Sequence, residues 1–332
     1  MPNVSVIIPT YNRAALVRKA VESVLEQTYA DFEVIVADDG SIDNTREMLT
    51  GLSERVRYVP LAHGGRSRAR NHALTLAKGR YIAFLDSDDL FFPYTPATQV
   101  DHLERNPEYG MVYGSAICFS ETGEFLGAYE AEKSGWLYYD IALYLPLTIT
   151  LPTVMLRKSV VEEIGGFDER MERFEDTDMW RRVSRRHKIL AINKPLSKLL
   201  THQGNRLREP INELNNIKYY VRKLMKEDRS FRDVCKRKLA ANLFHHYMFA
   251  VYRDPQYRWT AIVRFAFWSI FYWPFRGRCY LYFFPKPLRG YQPVRRCLTA
   301  CRRYFLVAYF PLHLLLVNPR DFAKRLKKRI AG

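Results

Sequence analysis

Short apolar runs alternate with helical patterns over the first 85 residues of the chain. Near-continuous apolar stretches predict buried strands at residues 4–8, 32–37, 56–59 and 81–85. Between them, apolar residues recur at helical spacing, first over residues 14–25 and later over about 66–78. Buried strands that alternate with helices form parallel sheets with helices on both faces. The pattern therefore predicts an α/β fold with a mostly parallel sheet.

Polar residues directly follow three of these strands. The three segments are Pro9–Arg13, Asp38–Ser41 and Asp86–Asp89. Because ligands of such sheets bind at the carboxyl ends of the strands, we expect the three segments on one rim. The chain contains neither a G-x-G-x-x-G nor a G-x-x-x-x-G-K-[ST] motif. Neither a Rossmann dinucleotide site nor a Walker loop is therefore indicated.

The segment Asp86–Asp89 places three carboxylates within four residues, immediately after a buried strand. Carboxylates this close repel one another, and each raises the pKa of its neighbours. A hard divalent cation such as Mg²⁺ or Mn²⁺ relieves this repulsion and prefers oxygen ligands. A solvated acidic turn, or the N-cap of the next helix, is the structural alternative.

Residues 108–157 have a less regular pattern, with strands predicted at 111–119 and 153–157. The aromatic run at 136–139 suits either a loop over a site or packing against the sheet. Further along, Asp176 and Trp180 share one stripe of a predicted helix. Asp176 is therefore a candidate for chemistry, or for an acid that stabilises a helix N-terminus.

The charge divides the chain into two parts. Residues 1–200 hold 24 Lys or Arg and 28 Asp or Glu, whereas residues 201–332 hold 28 and 7. We predict a near-neutral globular domain at 1–205 and a basic, aromatic-rich helical region at 206–332 that binds an anionic partner. The N-terminus lacks the features of a secretory signal, and the five dispersed cysteines favour reduced, cytosolic thiols.

The basic region has helical patterns at 211–226 and 231–252, followed by apolar stretches at 259–275 and 304–317. Both stretches are shorter than the roughly 20 residues of a membrane-spanning helix, and Lys and Arg flank them. With the basic amphipathic segment 320–330, they predict helices that lie in an anionic membrane surface. A helical bundle with a solvated basic face, or short re-entrant or spanning helices, are the alternatives. Nucleic-acid binding is a remote alternative, because the basic residues form no recognised motif.

Five segments occur in a fixed order along the first part of the chain. They are Pro9–Arg13, Asp38–Ser41, Arg68–Asn71, Asp86–Asp89, and Glu175-Asp176 after Gly165–Glu169. In this order and spacing they resemble the family 2 glycosyltransferases, which have the GT-A nucleotide-sugar fold. The resemblance covers about residues 3–205. It implies transfer of a sugar from a nucleotide sugar to a hydroxyl group, with inversion at the anomeric carbon.

The resemblance also implies roles for individual residues toward the diphosphate. Asp88 would be the direct ligand of Mn²⁺ or Mg²⁺, and Asp86 would reach the ribose or the sugar. The role of Asp89 stays open between chemistry and shaping of the turn. Arg70 lies on a helix that begins after Gly64-Gly65, and we expect it at the diphosphate. A surface arginine is the alternative for Arg70.

The resemblance places the nucleotide base at the other strand ends. Asp39 would accept a ring N–H of uracil or thymine, Tyr11 would pack on the base, and Pro9 would supply backbone contacts. A UDP-sugar or dTDP-sugar is then the expected donor. From the residues alone, Tyr11 is also a candidate core aromatic. Asp38 or Asp39 is also a candidate Asx-turn residue.

Asp176 is the predicted catalytic base, which would take the proton of the acceptor hydroxyl. Asp178 and Glu175 are its competitors for that role. His202 is a candidate second metal ligand by the same resemblance. In this chain Leu200-Thr201 replaces the aromatic–Arg pair usual before that histidine, so a plain loop histidine is equally supported.

These expectations combine into one function. The chain would be a metal-dependent inverting glycosyltransferase acting on a lipid-linked glycan, in cell-surface polysaccharide or glycolipid assembly. It would bind the cytoplasmic face of an anionic membrane as a peripheral or monotopic protein, with no nucleic acid as partner. The alternative is a glycosyltransferase with a soluble or protein acceptor, whose basic tail binds a partner.

Overall fold

The computed structural model describes residues 2–142, 147–201 and 210–228 of the 332-residue chain. The chain divides into two compact units, Met1–Arg206 and Leu207–Gly332. In the described part of the first unit, nine strands form a single sheet. They are β1 Val4–Thr10, β2 Phe32–Asp38, β3 Val56–Pro60, β4 Tyr81–Phe84, β5 Leu90–Phe91, β6 Tyr109–Ser120, β7 Phe125–Tyr129, β8 Val154–Arg157 and β9 Lys188–Thr201.

Helices connect most of these strands. They are α1 Ala14–Leu25, α2 Thr45–Leu49, α3 Arg66–Leu76, α4 Thr95–Arg105, α5 Tyr138–Ala142, α6 Lys158–Ile164 and α7 Glu175–Ser184, with a 3₁₀ turn at Leu151–Thr153. In the second unit, α8 spans Pro210–Glu227, which confirms the helix predicted at 211–226. Along α8, the side chains of Tyr220 and Leu224 are buried.

The sheet has the strand order β3-β2-β1-β4-β8-β6-β9-β5, and β7 pairs with β6 outside this path. Strands β1 to β4 run parallel to one another. In contrast, β8 runs antiparallel to both β4 and β6. The predicted α/β fold and its first four strands are confirmed. Beyond β4 the sheet is mixed, with β6 and β8 at the two positions where the sequence predicts strands.

Strands β1, β2 and β4 are buried on both faces, which explains why they are mostly apolar. The strand β3, at the edge of the sheet, is only partly buried. Because successive side chains point to opposite faces, Val6 and Ile7 of β1 enter different cores. Val6 packs with Val17 and Val21 of α1. Ile7 packs in the other core with Ala69 of α3, whose small side chain lets the helix approach the sheet closely.

The strand register brings the polar strand ends to one rim. Thr10, the last residue of β1, pairs with Asp38, the last residue of β2. The backbone N–H of Asp39 then donates to the Thr10 carbonyl at 2.9 Å, and that of Leu85 donates to the Ile7 carbonyl at 3.0 Å. The residues that follow β1, β2 and β4 therefore lie side by side, as the sequence predicts.

Two regions differ from the sequence prediction or bear on alternatives that it left open. The 14-residue strand β9 has no counterpart in the predicted pattern, because Lys194, Pro195 and Lys198 interrupt its apolar residues. In the aromatic run at 136–139, Leu137 packs in the core while Trp136 is exposed, and a loop over a site stays a prediction.

Much of the predicted membrane region lies beyond the described residues. In the part of the chain that the structure describes, no helix combines the length and apolar character needed to cross a membrane. The segments predicted at 231–252, 259–275, 304–317 and 320–330 lie outside the described residues, as does His202. The membrane association and the metal role of His202 stay predictions.

Candidate active site

The loop after β1 is fastened to the loop after β2 at the edge of the rim. Asn12 adopts a left-handed backbone conformation with φ of 51°, which asparagine tolerates better than most residues. Its N–H donates to Ser41 Oγ at 2.8 Å, and its Oδ1 accepts the N–H of Ile42 at 2.8 Å. These two hydrogen bonds hold the preceding residue, Tyr11, at the rim.

Tyr11 presents an aromatic surface to solvent. Its exposed fraction is 43%, so the alternative of a core aromatic is wrong. The ring of Tyr11 stacks on that of His63, with centroids 4.4 Å apart and an angle of 28° between the planes. Nδ1 of His63 lies 2.9 Å from Oδ2 of Asp39. The predicted base-packing residue and the predicted base acceptor are therefore joined through His63.

The adjacent carboxylates Asp38 and Asp39 have different partners. Asp38 accepts the N–H of Ser41 at 2.8 Å and the hydroxyl of Tyr58, so it is the Asx-turn residue of the pair. Asp39 accepts the two N–H groups of Gly64-Gly65, each at 2.8 Å. It thereby fixes the loop that leads into α3. Oδ2 already lies against both Gly65 and His63, whereas Oδ1 has a further lone pair with which Asp39 could accept a ring N–H.

The acidic turn after β4 is held by a cation and by the neighbouring strand β9. Arg13 NH1 lies 2.8 Å from Oδ2 of Asp88. Oδ1 of Asp89 accepts the N–H of Leu200 at 3.1 Å. Burial raises the pKa of Asp89 well above its usual range, and the charges of Asp86 and Asp88 add to this increase. Asp89 therefore shapes the turn and ties it to β9.

Arg70 is buried between two carboxylates rather than lying on the surface. Its terminal nitrogens pair with Asp86 Oδ1 at 2.6 Å and with Glu175 Oε1 at 3.0 Å. The guanidinium also lies over the Phe167 ring, 5.3 Å from its centroid. Burial alone would lower the pKa of Arg70, but the two carboxylates outweigh it and raise the pKa. Arg70 thus links the acidic turn to the first residue of α7.

The loop between α6 and α7 is clamped to α3 by one side chain. Asn71 Oδ1 accepts the N–H of Phe167 at 2.8 Å, and Asn71 Nδ2 donates to the Phe167 carbonyl and to Glu169 Oε1, both at 2.9 Å. Gly166 adopts φ of 69° beneath this clamp, and a Cβ there would lie 2.6 Å from Asn71 Oδ1. The segments Arg68–Asn71 and Gly165–Glu169 are therefore parts of one contact.

Asp176 lies in the first turn of α7, partly buried, next to Glu175. Burial, together with the charge of Glu175, raises the pKa of Asp176 to about 6. Its Oδ1 accepts the N–H of Thr177 at 2.6 Å, which works against this increase. A carboxylate with a pKa close to neutral pH is suited to general base catalysis. The preceding Phe174 has a left-handed φ of 63°, a conformation that is often found at functional sites.

The two competitors of Asp176 are engaged in structural ion pairs. Asp178 is fully buried and pairs with Arg181 at 2.8 Å and with Arg182 at 2.9 Å. Glu175 is buried against Arg70 and a second arginine, Arg66. These contacts favour Asp176 as the residue that meets an acceptor, and its role as the base stays a prediction.

Comparison with known proteins agrees with this geometry. The sequence profile "Glycosyl transferase family 2" matches residues 5–165. Residues 5–165 are therefore similar to glycosyltransferase family 2. A relative, an uncharacterized glycosyltransferase of Rickettsia felis, is 35% identical over 204 residues, which are 60% of this chain and 33% of the relative. The chain spans about a third of the length of the first curated relatives it matches.

Two solved glycosyltransferases share the fold of this chain at low sequence identity. Residues 1–349 of S. aureus TarS, in complex with UDP-GlcNAc, match with a TM-score of 0.61 and 17% identity, over 93% of this chain and 92% of that one. The mannosyltransferase PcManGT of Pyrobaculum calidifontis, in complex with GDP-Man and Mn²⁺, matches with a TM-score of 0.52 and 18% identity, over 92% and 81%. The predicted GT-A fold is therefore confirmed.

The acidic turn of this chain fits a cation that a substrate would help to hold. Among the described residues, no three His, Cys, Asp or Glu side chains are placed to bind a metal ion by themselves. Mg²⁺ in phosphate sites is usually held by one or two carboxylates, with phosphate and water completing the shell. Asp88, at present paired with Arg13, fits that description. The crowded turn, which raises the pKa of Asp89, also favours a bound cation.

Two buried polar atoms on the same rim lack hydrogen-bond partners in the described structure. They are Thr10 Oγ1, at the end of β1, and Nε of Arg70. Buried polar atoms are nearly always paired, so each such atom needs an explanation. Five other buried side-chain atoms of the described residues also lack a partner, so these two atoms do not by themselves indicate a ligand.

The structure thus brings most of the predicted site residues together. Those placed around the rim are Pro9, Tyr11, Asp39, Arg70, Asp86, Asp88 and Asp176. The sequence gives no role to Thr10, Arg13 or His63, although the first two lie inside Pro9–Arg13. For Thr10 and Arg13, the position inside that segment was a signal of a role in the site. The pairing of His63 with Asp39, in contrast, depends on the fold.

Proposed function

We propose that this protein is a metal-dependent inverting glycosyltransferase that moves a sugar from a UDP-sugar or dTDP-sugar to a hydroxyl of a lipid-linked glycan. The observation that carries the proposal is a series of ion pairs: Arg70 pairs with Asp86 and with Glu175, and Asp176 directly follows Glu175. These ion pairs connect the predicted donor side of the rim to a carboxylate, Asp176, whose pKa is about 6.

The proposed donor site follows the ends of β1, β2 and β4. Tyr11 offers an exposed ring for the base, and Asp39 accepts its ring N–H group. The unpaired Thr10 Oγ1 and Arg70 Nε would bind donor oxygens. TarS was crystallised with UDP-GlcNAc, which supports a uracil nucleotide for this chain. The Mn²⁺ bound with PcManGT supports the metal.

The reaction balances as a single displacement. Asp176 takes the proton of the acceptor hydroxyl, whose oxygen attacks the anomeric carbon from the face opposite the nucleotide. The bond from that carbon to the diphosphate oxygen breaks, and the diphosphate leaves with the electron pair. A divalent cation at Asp88 supplies charge stabilisation for this leaving group. Arg70 holds Asp86 toward the donor, and the anomeric configuration is inverted.

The donor and the base are tested together with a panel of nucleotide sugars in the presence of Mn²⁺. We expect release of nucleoside diphosphate from one or more UDP- or dTDP-sugars. Asp176→Asn should retain donor binding and lose on the order of 10²–10⁴ in rate, which is the usual worth of a general base. Glu163→Gln, an exposed substitution on α6, is the matched control. Normal turnover by Asp176→Asn would overturn the assignment of the base.

The lipid-linked acceptor and the peripheral position at the cytoplasmic membrane face are the parts of the proposal that rest on residues 206–332. Their 28 Lys or Arg and long aromatic stretches suit an anionic lipid surface. Flotation of the full chain with anionic and neutral vesicles, over a series of salt concentrations, tests this. Flotation with anionic vesicles at low salt is expected. Failure to float with either vesicle would instead support the soluble or protein acceptor.

A further inference from the structure

A two-pronged ion pair lies beside the proposed base. Arg66 Nε is 2.8 Å from Glu175 Oε1, and its NH2 group donates to Oε2 at 3.2 Å. The NH2 group also donates to the carbonyl of Glu172. The side chain of Glu175 is 5% exposed and that of Arg66 is 44% exposed. The carboxylate is therefore fixed inside the site, while its guanidinium partner faces solvent.

Glu175 has a second role in the same network. Its Oε1 also accepts a hydrogen bond from Arg70, which continues to Asp86. Glu175 therefore joins two arginines of α3 to the start of α7. A purely structural explanation is that this junction anchors α7 and does nothing for the chemistry. That explanation predicts that removing Glu175 weakens the fold without a specific effect on Asp176.

The charges around Asp176 argue for more than an anchor. Burial is the main cause of its raised pKa, and the charge of Glu175 raises it further. The backbone N–H of Thr177 and the charges of Arg66 and Arg70 lower it. Arg66 and Glu175 thus act on Asp176 with opposite signs while they are bound to each other.

We propose that Arg66 and Glu175 are positioning residues for the base, forming a matched pair that tunes Asp176 in opposite directions. The inference rests on the proposed function, because it takes Asp176 as the base. It adds two residues to the reaction that do not touch the substrates through this role. Glu175 raises the proton affinity of Asp176, and Arg66, together with Arg70, lowers it.

The pair is tested by titrating Asp176 directly, without any substrate. The full chain is labelled with ¹³C at the aspartate carboxyl carbons and followed by NMR from about pH 4 to 8. The Asp176 signal is identified by its loss in Asp176→Asn. Glu175→Gln retains an acceptor for Arg70 and should lower the midpoint by about one unit, a roughly tenfold loss of proton affinity. Arg66→Gln, at an exposed position, should raise the midpoint.

Matched controls remove the same charges elsewhere on the domain. Glu163→Gln on α6 and Arg105→Gln on α4 each remove one member of an exposed pair and should leave the midpoint unchanged. Glu175→Asp retains the charge and should stay close to the wild-type midpoint, even if Glu175→Gln folds poorly. Shifts of the same sign in Arg66→Gln and Glu175→Gln, or no shift in Arg66→Gln, would overturn the proposal.

A second measurement separates this inference from the proposed function. The acid limb of the pH–rate profile for nucleotide release should move in the same directions as the NMR midpoints. Opposite NMR shifts without turnover of any nucleotide sugar would leave the pair standing and remove the proposed function. Turnover with unchanged acid limbs in both variants would keep the function and remove the role of the pair.

Discussion

Gly166→Ala tests the clamp that joins α3 to the loop before α7. At φ of 69°, Gly166 has a left-handed conformation that alanine adopts only with strain. The added Cβ would also lie 2.6 Å from Asn71 Oδ1. Asn71 cannot move away freely, because it is bonded to the N–H and the carbonyl of Phe167. The substitution therefore combines backbone strain with displacement of a bonded side chain.

The size of the effect follows from these two contributions. A left-handed alanine costs about 1–2 kcal/mol, and each hydrogen bond that Asn71 loses costs about 1 kcal/mol. We expect Gly166→Ala to lower the free energy of unfolding by about 3–4 kcal/mol. The adjacent Gly165 is the matched control. It also has a left-handed φ, of 78°, but nothing lies within 4 Å of its added Cβ. Gly165→Ala should therefore cost only about 1–2 kcal/mol.

Urea unfolding of both variants measures this difference, with free energies compared at a common denaturant slope. Both substitutions are repeated in an Asn71→Ala background. The excess cost of Gly166→Ala should largely disappear there, because the atom that the Cβ meets has been removed. Equal losses for Gly166→Ala and Gly165→Ala in the wild-type background would refute the clamp. So would a cost of Gly166→Ala that is unchanged by Asn71→Ala.

Three further predictions concern charge. The folded pKa of Asp176, about 6, exceeds the unfolded value of 3.8, so its ionisation opposes folding above pH 6 and has no effect below about pH 3. Asp176→Asn should therefore raise the free energy of unfolding by up to about 3 kcal/mol at pH 8, in urea titrations, and change little at pH 3. The rate of nucleotide release should fall tenfold per unit below about pH 6, and a flat profile to pH 5 would exclude Asp176 as the base. Asp88→Ala should abolish Mn²⁺-dependent donor binding in calorimetry. Arg13→Gln, which removes the ion pair between Arg13 and Asp88, should tighten Mn²⁺ binding, and activity unchanged by EDTA would contradict the metal role.

The sequence predicts the parts of this fold that depend on local pattern. Strands β1, β2 and β4 are nearly continuous apolar runs, and the helices α1 and α3 have regular apolar spacing. The rule that ligands bind at strand ends then places Tyr11, Asp39 and Asp86 on one rim before any coordinates are known. Strand β9 escapes the same reasoning. Its lysines and proline break the apolar pattern, and its pairing with β6 is a long-range contact.

The sequence favours Asp176 over its neighbouring acids by the resemblance and by its stripe with Trp180, but it does not show what the other acids do. Only the fold shows that Asp178 is enclosed by Arg181 and Arg182. The same holds for Glu175, whose contact with Arg66 spans 109 positions of the chain. Ion pairs of this kind depend on how α3 and α7 pack. No local signal in either helix reveals them.

The charge balance of the rim gives an independent argument for a metal-dependent reaction. Three arginines serve the carboxylates described above: Arg13, Arg66 and Arg70. Five carboxylates lie around them: Asp86, Asp88, Asp89, Glu175 and Asp176. This set therefore carries no positive excess before the donor arrives. The diphosphate of a nucleotide sugar adds about two negative charges to a partly buried site, where unpaired charge is costly. The described residues hold no spare cation within this network, so a divalent ion that binds with the donor is the simplest way to neutralise it.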